Sequence, residues 1–370
     1  MHRVRLNYSL SAAPDDGPAE PLRDLHHPLM ALLDATRRSG SISGASRLLN
    51  LSYRHVWGEL RRWEGELGHP LVVWVKGQPA TLAPFGEKLL WAERLAQARL
   101  APQIETLRAE LERAFAVAFD DSAGVLPMYA SHDHALPALR EWLQAKHRLH
   151  LDIQFTGSVD ALAALNEGRC LLAGFHALTE SPQNSPTARV YRPMLRPGVH
   201  KLIGFAQRSQ GLMVAPGNPL AIGGLRDLLR DDIRFVNRRR GTGTRVVLEQ
   251  LLAAQDIAVD AIEGFERTEP SHQSAAEAVT GGSADAAFGI EAAAAARGLA
   301  FVPLASESYF LAVLAAQLGS PPVRTLLAAL QRPAWAATLQ AIPGYTAARS
   351  GEVLSLRSVL PWWTYKTPKR

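Results

Sequence analysis

The pattern of apolar residues changes character once along this chain, near Asp120–Gly124, and that change limits the folds open to it. Before it, apolar residues recur at helical spacing. After it, short apolar runs alternate with amphipathic stretches. The runs VLPMYAS, LDIQFTGS, LLAGFHAL, KLIGFAQ, GLMVAPG, IRFVN, AAFGI and LAFVPL read as strands. ALPALREWLQAK, VDALAALNEG, TRVVLEQLLAAQ and HQSAAEAVTGG between them read as helices, and EAAAAAR as a short one. Such alternation predicts an α/β domain with largely parallel sheets. At 370 residues the chain is long enough for two or three domains.

Ahead of the break the expectation is all-α with one hairpin. Residues 11–21 read as a loop, and VRLNYSL before them as a strand. A first helix ends at Ser39-Gly40. A second spans Ser41–Leu49, with Ala45, Leu48 and Leu49 turned inward, and Asn50-Leu51 forms the turn. Ser52 suits the N-cap of a third helix reaching Leu67. Val56, Leu60, Trp63 and Leu67 share one face of it; Tyr53, Arg54, His55, Glu59 and Arg62 lie on the other. An apolar hairpin follows, with Lys76-Gly77-Gln78-Pro79 at its tip. A long helix then runs from Pro84 to about Phe119, kinked or interrupted at Pro102.

The net charge is only +5, but its distribution is uneven. Between Ala35 and Ala80 there are seven Lys or Arg against three Glu. A helix buried on one side, with a basic N-terminal outer face, suits the major groove: its first residues reach base edges while flanking cations hold phosphate. The expected contacts with double-stranded DNA are Ser41, Ser52, Tyr53, Arg54, His55, Arg62 and the wing residue Lys76.

The single cysteine, Cys170, excludes an intrachain disulfide and a thiolate metal cluster. His132 and His134 lack a second cluster with metal-ligand spacing, so no metal or other cofactor is expected. The N-terminus lacks the apolar stretch of a signal peptide, and no run is long enough for a membrane span. The expected location is cytoplasmic.

The segment IRFVNRRRGTGTRVVLEQLL runs from a strand through a Gly/Thr loop into a helix. The first amides of a helix lack partners and the macrodipole there is positive, so an anion fits. Gly243 is followed by Thr244 and not by Lys, which excludes a phosphate loop; Val246 stands where a dinucleotide fingerprint needs a third glycine. A small anion is left, with a plain structural turn as the alternative. Ser131-His132-Asp133 and Gly157-Ser158 repeat the arrangement of strand, small polar residue and helix start. The candidate anion site is therefore Ser131, His132, Gly157, Ser158, Asn237, Arg238, Gly241, Thr242, Gly243, Thr244 and Arg245. Glu291 is added as a carboxylate able to orient Arg238 or Arg245. No nucleophile with an adjacent base and no paired carboxylates stand in these loops, so no catalytic residue is assigned. The cluster Trp362-Trp363-Tyr365 reads as a packing strap.

Two resemblances sharpen this. GSISGASRLLNLSYRHVWGELRRWEGELGHPLVV, with TLAPFGEKLL after it, closely resembles the N-terminal domain of molybdate-responsive regulators and more distantly that of LysR-type regulators. It implies a winged helix-turn-helix over 1–83 and a linker helix over 84–120 that pairs two subunits. A homodimer is then expected, or two dimers as a tetramer. From Val125 to about Val353 the chain resembles a periplasmic-binding-protein-like domain of type II, on SHDHAL, FTGSVDALAALNEGR, APGNPL, RFVNRRRGTGTR and GGSADAAFGIEAAA. It implies two lobes, about 121–206 with 306–370 and 207–305. Crossing segments would lie near Phe205–Gly211 and Pro303–Phe310, with a ligand cleft between the lobes. Its relatives include molybdate- and tungstate-binding proteins, so the implied effector is such an oxyanion, with a small carboxylate such as formate as the rival. The expected function is a DNA-binding regulator of molybdenum-enzyme or formate-metabolism genes. The alternatives are a cytoplasmic solute-binding protein or an enzyme on a binding-protein fold.

Overall fold

The computed structural model describes residues 27–74, 79–119, 124–178, 182–360 and 362–363. The strand expected at VRLNYSL, the loop at 11–21, Lys76 at the wing tip and Tyr365 fall outside them. The chain divides into two compact units between Gln97 and Ala98.

The first unit starts with three helices whose ends are set by single residues. Helix α1 (Pro28–Ser39) has Pro28 in its first turn and stops at Gly40, whose φ of 63° is left-handed. Helix α2 (Ile42–Leu48) is capped by Ser41, whose hydroxyl accepts the Gly44 N–H at 2.9 Å. Helix α3 (Tyr53–Leu67) is capped by Ser52, which accepts from His55 N at 3.1 Å, and ends at Gly68. Strands β1 (Val72–Val73) and β2 (Thr81–Leu82) pair antiparallel as the hairpin. Leu29, Leu33, Ile42, Ala45, Val56, Leu60, Leu71, Leu82 and Leu90 close the core. Leu48 is 55% exposed, against the expectation that it turns inward. Ile42 and Ala45, three residues apart, already fill the buried face of this short helix, and Leu48 falls outside that stripe.

Helix α4 (Pro84–Phe119) crosses the division between the units and continues through Pro102. Proline has no N–H for the Ala98 carbonyl, and that carbonyl accepts the Ser271 hydroxyl at 2.9 Å instead.

In the second unit the chain continues through β3 (Gly124–Ala130), α5 (Ala135–His147), β4 (Leu149–Phe155), α6 (Ser158–Asn166), β5 (Leu172–Leu178) and α7 (Pro186–Tyr191). Then come β6 (His200–Val214), β7 (Phe235–Arg238), α8 (Gly243–Ala253), β8 (Thr268–Glu269), α9 (His272–Thr280), β9 (Ala286–Ile290), α10 (Glu291–Ala295) and β10 (Ala300–Leu314). Helices α11 (Pro321–Leu330) and α12 (Pro333–Gln340), strands β11 (Tyr345–Thr346) and β12 (Val353–Ser355) and helix α13 (Leu356–Val359) complete it.

The sheet order is β4-β3-β5-β10-β6-β9-β7-β8. β3, β4 and β5 are mutually parallel at one end, and β7 is parallel to β8 and β9 at the other. The two long strands β6 and β10 run antiparallel between them, from Ala300↔Val214 to Leu314↔His200. Two lobes thus share one pair of crossing strands, whose middles are the segments Phe205–Gly211 and Pro303–Phe310. The sheet is parallel only within each lobe, and KLIGFAQ and GLMVAPG belong to one strand, not two. Arg208-Ser209-Gln210 reads as a gap in an apolar run, yet Arg208 and Gln210 are buried within β6.

Lobe cores pack on both faces of this sheet. Leu126, Leu136, Leu151, Phe205 and Trp335 lie on one side of the first lobe, and Leu162, Phe175, Tyr191 and Trp362 on the other. Phe235, Leu248 and Phe288 hold the second lobe. Trp362 is fully buried and stacks on Tyr191 at 6.2 Å, as a packing strap should. No described helix is long and apolar enough to cross a membrane.

Candidate functional site

Two places carry the sequence-derived site residues, one in each unit. In the first, the start of α3 presents Tyr53, Arg54 and His55 side by side, all exposed. Ser52 and Ser41 act locally as helix caps. Arg62 is exposed but engaged, with Glu59 at 2.6 Å and Glu66 at 2.8 Å. Arg61 lies 4.4 Å over the Trp57 ring and pairs with Glu64. Arg54 has no ion pair among the described residues, so the free cationic character of this helix is at its N-terminal end.

In the second unit a cavity of about 430 Å³ opens between the lobes. The first lobe contributes Ser131, His132, Phe155, Thr156, Gly157 and Asp160; the second contributes Arg238, Arg239, Arg240, Thr242 and Pro270. The loop ends meet closely here. A side chain at Gly157 would come within 2.9 Å of the Gly241 carbonyl, and one at Gly243 within 3.0 Å of the His176 ring. Gly241 itself has φ +82°, a turn that any other residue would strain.

Arg238 is the central feature. It is 2% exposed, and one terminal nitrogen donates to the Pro270 carbonyl at 3.0 Å. Its Nε and Nη1 have no hydrogen-bond partner among the described residues. Burial, Arg208 and Arg239 push its pKa down to about 9. It remains a cation at neutral pH, with two unspent donors at the cavity. The start of α6 adds amides: Gly157 caps it without a side-chain hydrogen bond. Asp160, in the first turn of α6, is the one carboxylate in the lining, and the Thr156 hydroxyl donates to it at 3.3 Å. His132 packs against Phe155 at 5.1 Å, and burial, His134 and Arg238 lower its pKa to about 3. It is therefore a neutral imidazole, a dipolar contact and not a counter-charge.

Other expected members stand behind the wall. Asn237 is consumed locally, donating to the Phe265 carbonyl and accepting the Arg238 N–H. Thr242 does line the cavity, but its hydroxyl is engaged in capping α8. Thr244 is buried between Gln210 and the His272 ring, each at 3.3 Å. Ser158 is buried and outside the lining. Arg245 points the other way. It binds Glu249 at 2.8 Å and Glu266 at 2.9 Å, donates to the Phe265 carbonyl, and stacks on the Phe265 ring at 4.1 Å. Glu291 lies against Gly344 and meets neither Arg238 nor Arg245.

Beneath the cavity lies a polar layer that strand ends do not announce. Asp133 pairs with Arg208, accepts the Tyr345 hydroxyl at 2.5 Å and caps α5 through Ala135 N. Arg208 also binds Glu307, and Gln210 donates to the same carboxylate at 2.5 Å. Burial opposes the charge on Arg208, but Glu307, Tyr345 and Asp133 hold it protonated. His176 joins this layer to the cavity through Ser131 Oγ at 3.0 Å. Arg208, Gln210 and Glu307 come from the crossing strands, so a search of loop ends passes over them. The available signal was polar residues inside otherwise apolar strands, at Arg208, Gln210 and Glu307.

Residues 140–331, just over half of the chain, match the PBP superfamily domain. Residues 28–87 match the bacterial regulatory helix-turn-helix protein of the lysR family. Among curated proteins, the uncharacterized YvgK of Bacillus subtilis is 30% identical over 201 residues, covering 54% of this chain and 64% of that protein. The molybdenum-pterin-binding protein MopB of Rhodobacter capsulatus is 35% identical over 86 residues, covering 22% of this chain and 32% of that one. The chain thus spans less than two thirds of either relative. Among solved structures, CbnR with its target DNA is 16% identical with a TM-score of 0.38, covering 80% of this chain and 96% of that one. Full-length BenM is 15% identical with a TM-score of 0.41, covering 81% and 94%. The chain belongs to the PBP superfamily and carries a lysR-family regulatory helix-turn-helix ahead of that domain.

Proposed function

We propose that this chain is a DNA-binding transcription regulator, switched by an anion held in the cleft between its lobes. The observation that carries the switch is Arg238: a buried guanidinium in the cavity lining, with two donors that have no partner among the described residues. A buried cation without a counter-ion is costly, and a bound anion relieves that cost. The start of α6, where Val159 N donates to the Gly241 carbonyl at 3.4 Å, and the Ser131 hydroxyl stand on the facing wall. The lysR-family match supports the DNA-binding half, with Arg54 and His55 of α3 at the base edges.

Anion binding changes the lobe geometry, and two states of different anion affinity make this a switch. The chain acts as a homodimer paired through α4, or as two such dimers, in the cytoplasm. Candidate heads are molybdate, tungstate and small carboxylates such as formate; the MopB likeness favours the first pair. Genes of molybdenum enzymes or of formate metabolism are the corresponding targets.

The test is calorimetric titration of the full chain with molybdate, tungstate, sulfate and formate, beside a DNA-binding assay. Binding of at least one anion, lost in Arg238→Ala, is expected. Specific, salt-resistant DNA binding should disappear in Arg54→Ala/His55→Ala, with the anion response intact. Silence toward every anion sinks the switch. Retained specific DNA binding in the double variant removes α3 from the reading head.

A further inference from the structure

The cavity has a third wall, and it comes from neither lobe. Pro102, Gln103 and Thr106 of α4 line it together with the residues named above. The helix is held at this spot by both lobes. Toward the second lobe, Arg99 grips Glu269 with two bonds, at 2.9 and 2.5 Å. The Ser271 hydroxyl fills the acceptor that Pro102 leaves open at Ala98. Toward the first lobe, Phe155 N donates to Thr106 Oγ1 at 3.4 Å.

Size adds an independent constraint. A water molecule occupies roughly 30 Å³ of liquid, so about 430 Å³ is room for on the order of a dozen heavy atoms. Formate has three and a tetrahedral oxyanion five. Either one seated on Arg238 leaves most of the cavity unfilled. Besides Arg239 and Arg240, the latter paired with Glu266, the remaining lining includes Phe155, Pro102 and Pro270, three surfaces with nothing to offer a bare oxyanion.

We infer that α4 is part of the binding site, and that the molecule it admits is an organic anion. Its charged head sits on Arg238, and an uncharged, flat body reaches from there to Phe155, Pro102 and Gln103. This rests on the anion reading above and adds the body to the head. It also means that the ligand touches the helix that runs on into the DNA-binding unit.

Two pairs of probes share a head and differ in body: formate with benzoate, and phosphate with phenyl phosphate. Titrated into the full chain, the ring-bearing member of at least one pair should bind about tenfold tighter than its bare partner, as expected for burying one ring face. Gln103→Trp puts a bulky group on the third wall at an exposed helix position, and should erase that advantage while leaving the bare anion bound. Arg99→Gln, which frees α4 from Glu269, should reduce it in the same direction. A bare anion that binds as tightly as its ring-bearing partner overturns the organic body and leaves the anion switch standing. A ring advantage untouched by both variants overturns the role of α4. Silence from all four probes overturns this inference; the anion reading falls with it only when molybdate, tungstate and sulfate are silent too.

Discussion

The two units handle positive charge in opposite ways. On α3 the arginines are exposed, and most are neutralised by their own helix: Arg61 by Glu64, Arg62 by Glu59 and Glu66. In the cleft, Arg238 is buried and retains two donors without partners. Arg245, seven residues on and equally buried, is saturated by Glu249, Glu266, a carbonyl and an aromatic ring. Counting cations therefore misplaces the sites. What marks a site is a cation whose partners are missing, and for an exposed helix that leaves Arg54 rather than Arg62.

The largest effect that could break this contrast is at Arg238. Arg238→Met should abolish anion binding and yet stabilise the empty protein, because a lone buried charge opposes folding. The folded-state pKa of about 9 lies well below the ordinary arginine value, so the unfolded chain binds more protons between the two. The cost is fully present below pH 9 and fades as pH rises above it toward the ordinary arginine value. The variant should melt higher at neutral pH, by roughly 2–4 °C per kcal/mol regained, and its margin should narrow above pH 9. A lower melting point would show that Arg238 is satisfied without a ligand.

A smaller and opposite effect is expected at Arg245. Arg245→Met removes several made hydrogen bonds and should cost about 1–3 kcal/mol in denaturant unfolding, with anion affinity unchanged. Loss of anion affinity without loss of stability would return Arg245 to the site. The smallest effect belongs to Arg62→Ala. Its two carboxylates already cancel it, so the salt slope of DNA binding should change by less than about one unit. A change comparable to that of Arg54→Ala would mean that DNA displaces Glu59 and Glu66.

Much of the architecture was legible in the sequence because local chemistry marks it. Ser41, Ser52 and the Gly40 and Gly68 ends bound the first helices, and α4 spans the expected Pro84–Phe119. The strand–loop–helix ends at Ser131, Gly157 and Arg238–Thr242 do converge. Less was legible where a residue's partner is distant in sequence. Arg245 reads as an anion donor from its place at the start of α8, but Glu249, one turn on, is its partner. Glu291 was placed by its position after a strand, and packing sends it to Gly344. Arg208 and Glu307 face each other across β6 and β10, 99 residues apart. Pro102, Gln103 and Thr106 sit on a helix whose periodicity says only that it is a helix; which cavity it borders is a tertiary fact.

The shared crossing strands have a consequence for biosynthesis. β5, an inner strand of the first lobe, pairs with β3 on one edge and finds its second neighbour only when residues 307–312 of β10 exist. The helix-turn-helix core, by contrast, is closed by Leu90. At translation speeds of about 5–20 residues per second, more than 200 residues separate those events, or roughly 10–40 s. A nascent chain thus spends that interval with a finished helix-turn-helix unit and a sheet whose β5 edge is open. The order of synthesis completes the helix-turn-helix unit before the two-lobed domain, and makes the sheet the part most exposed to chaperones and proteases.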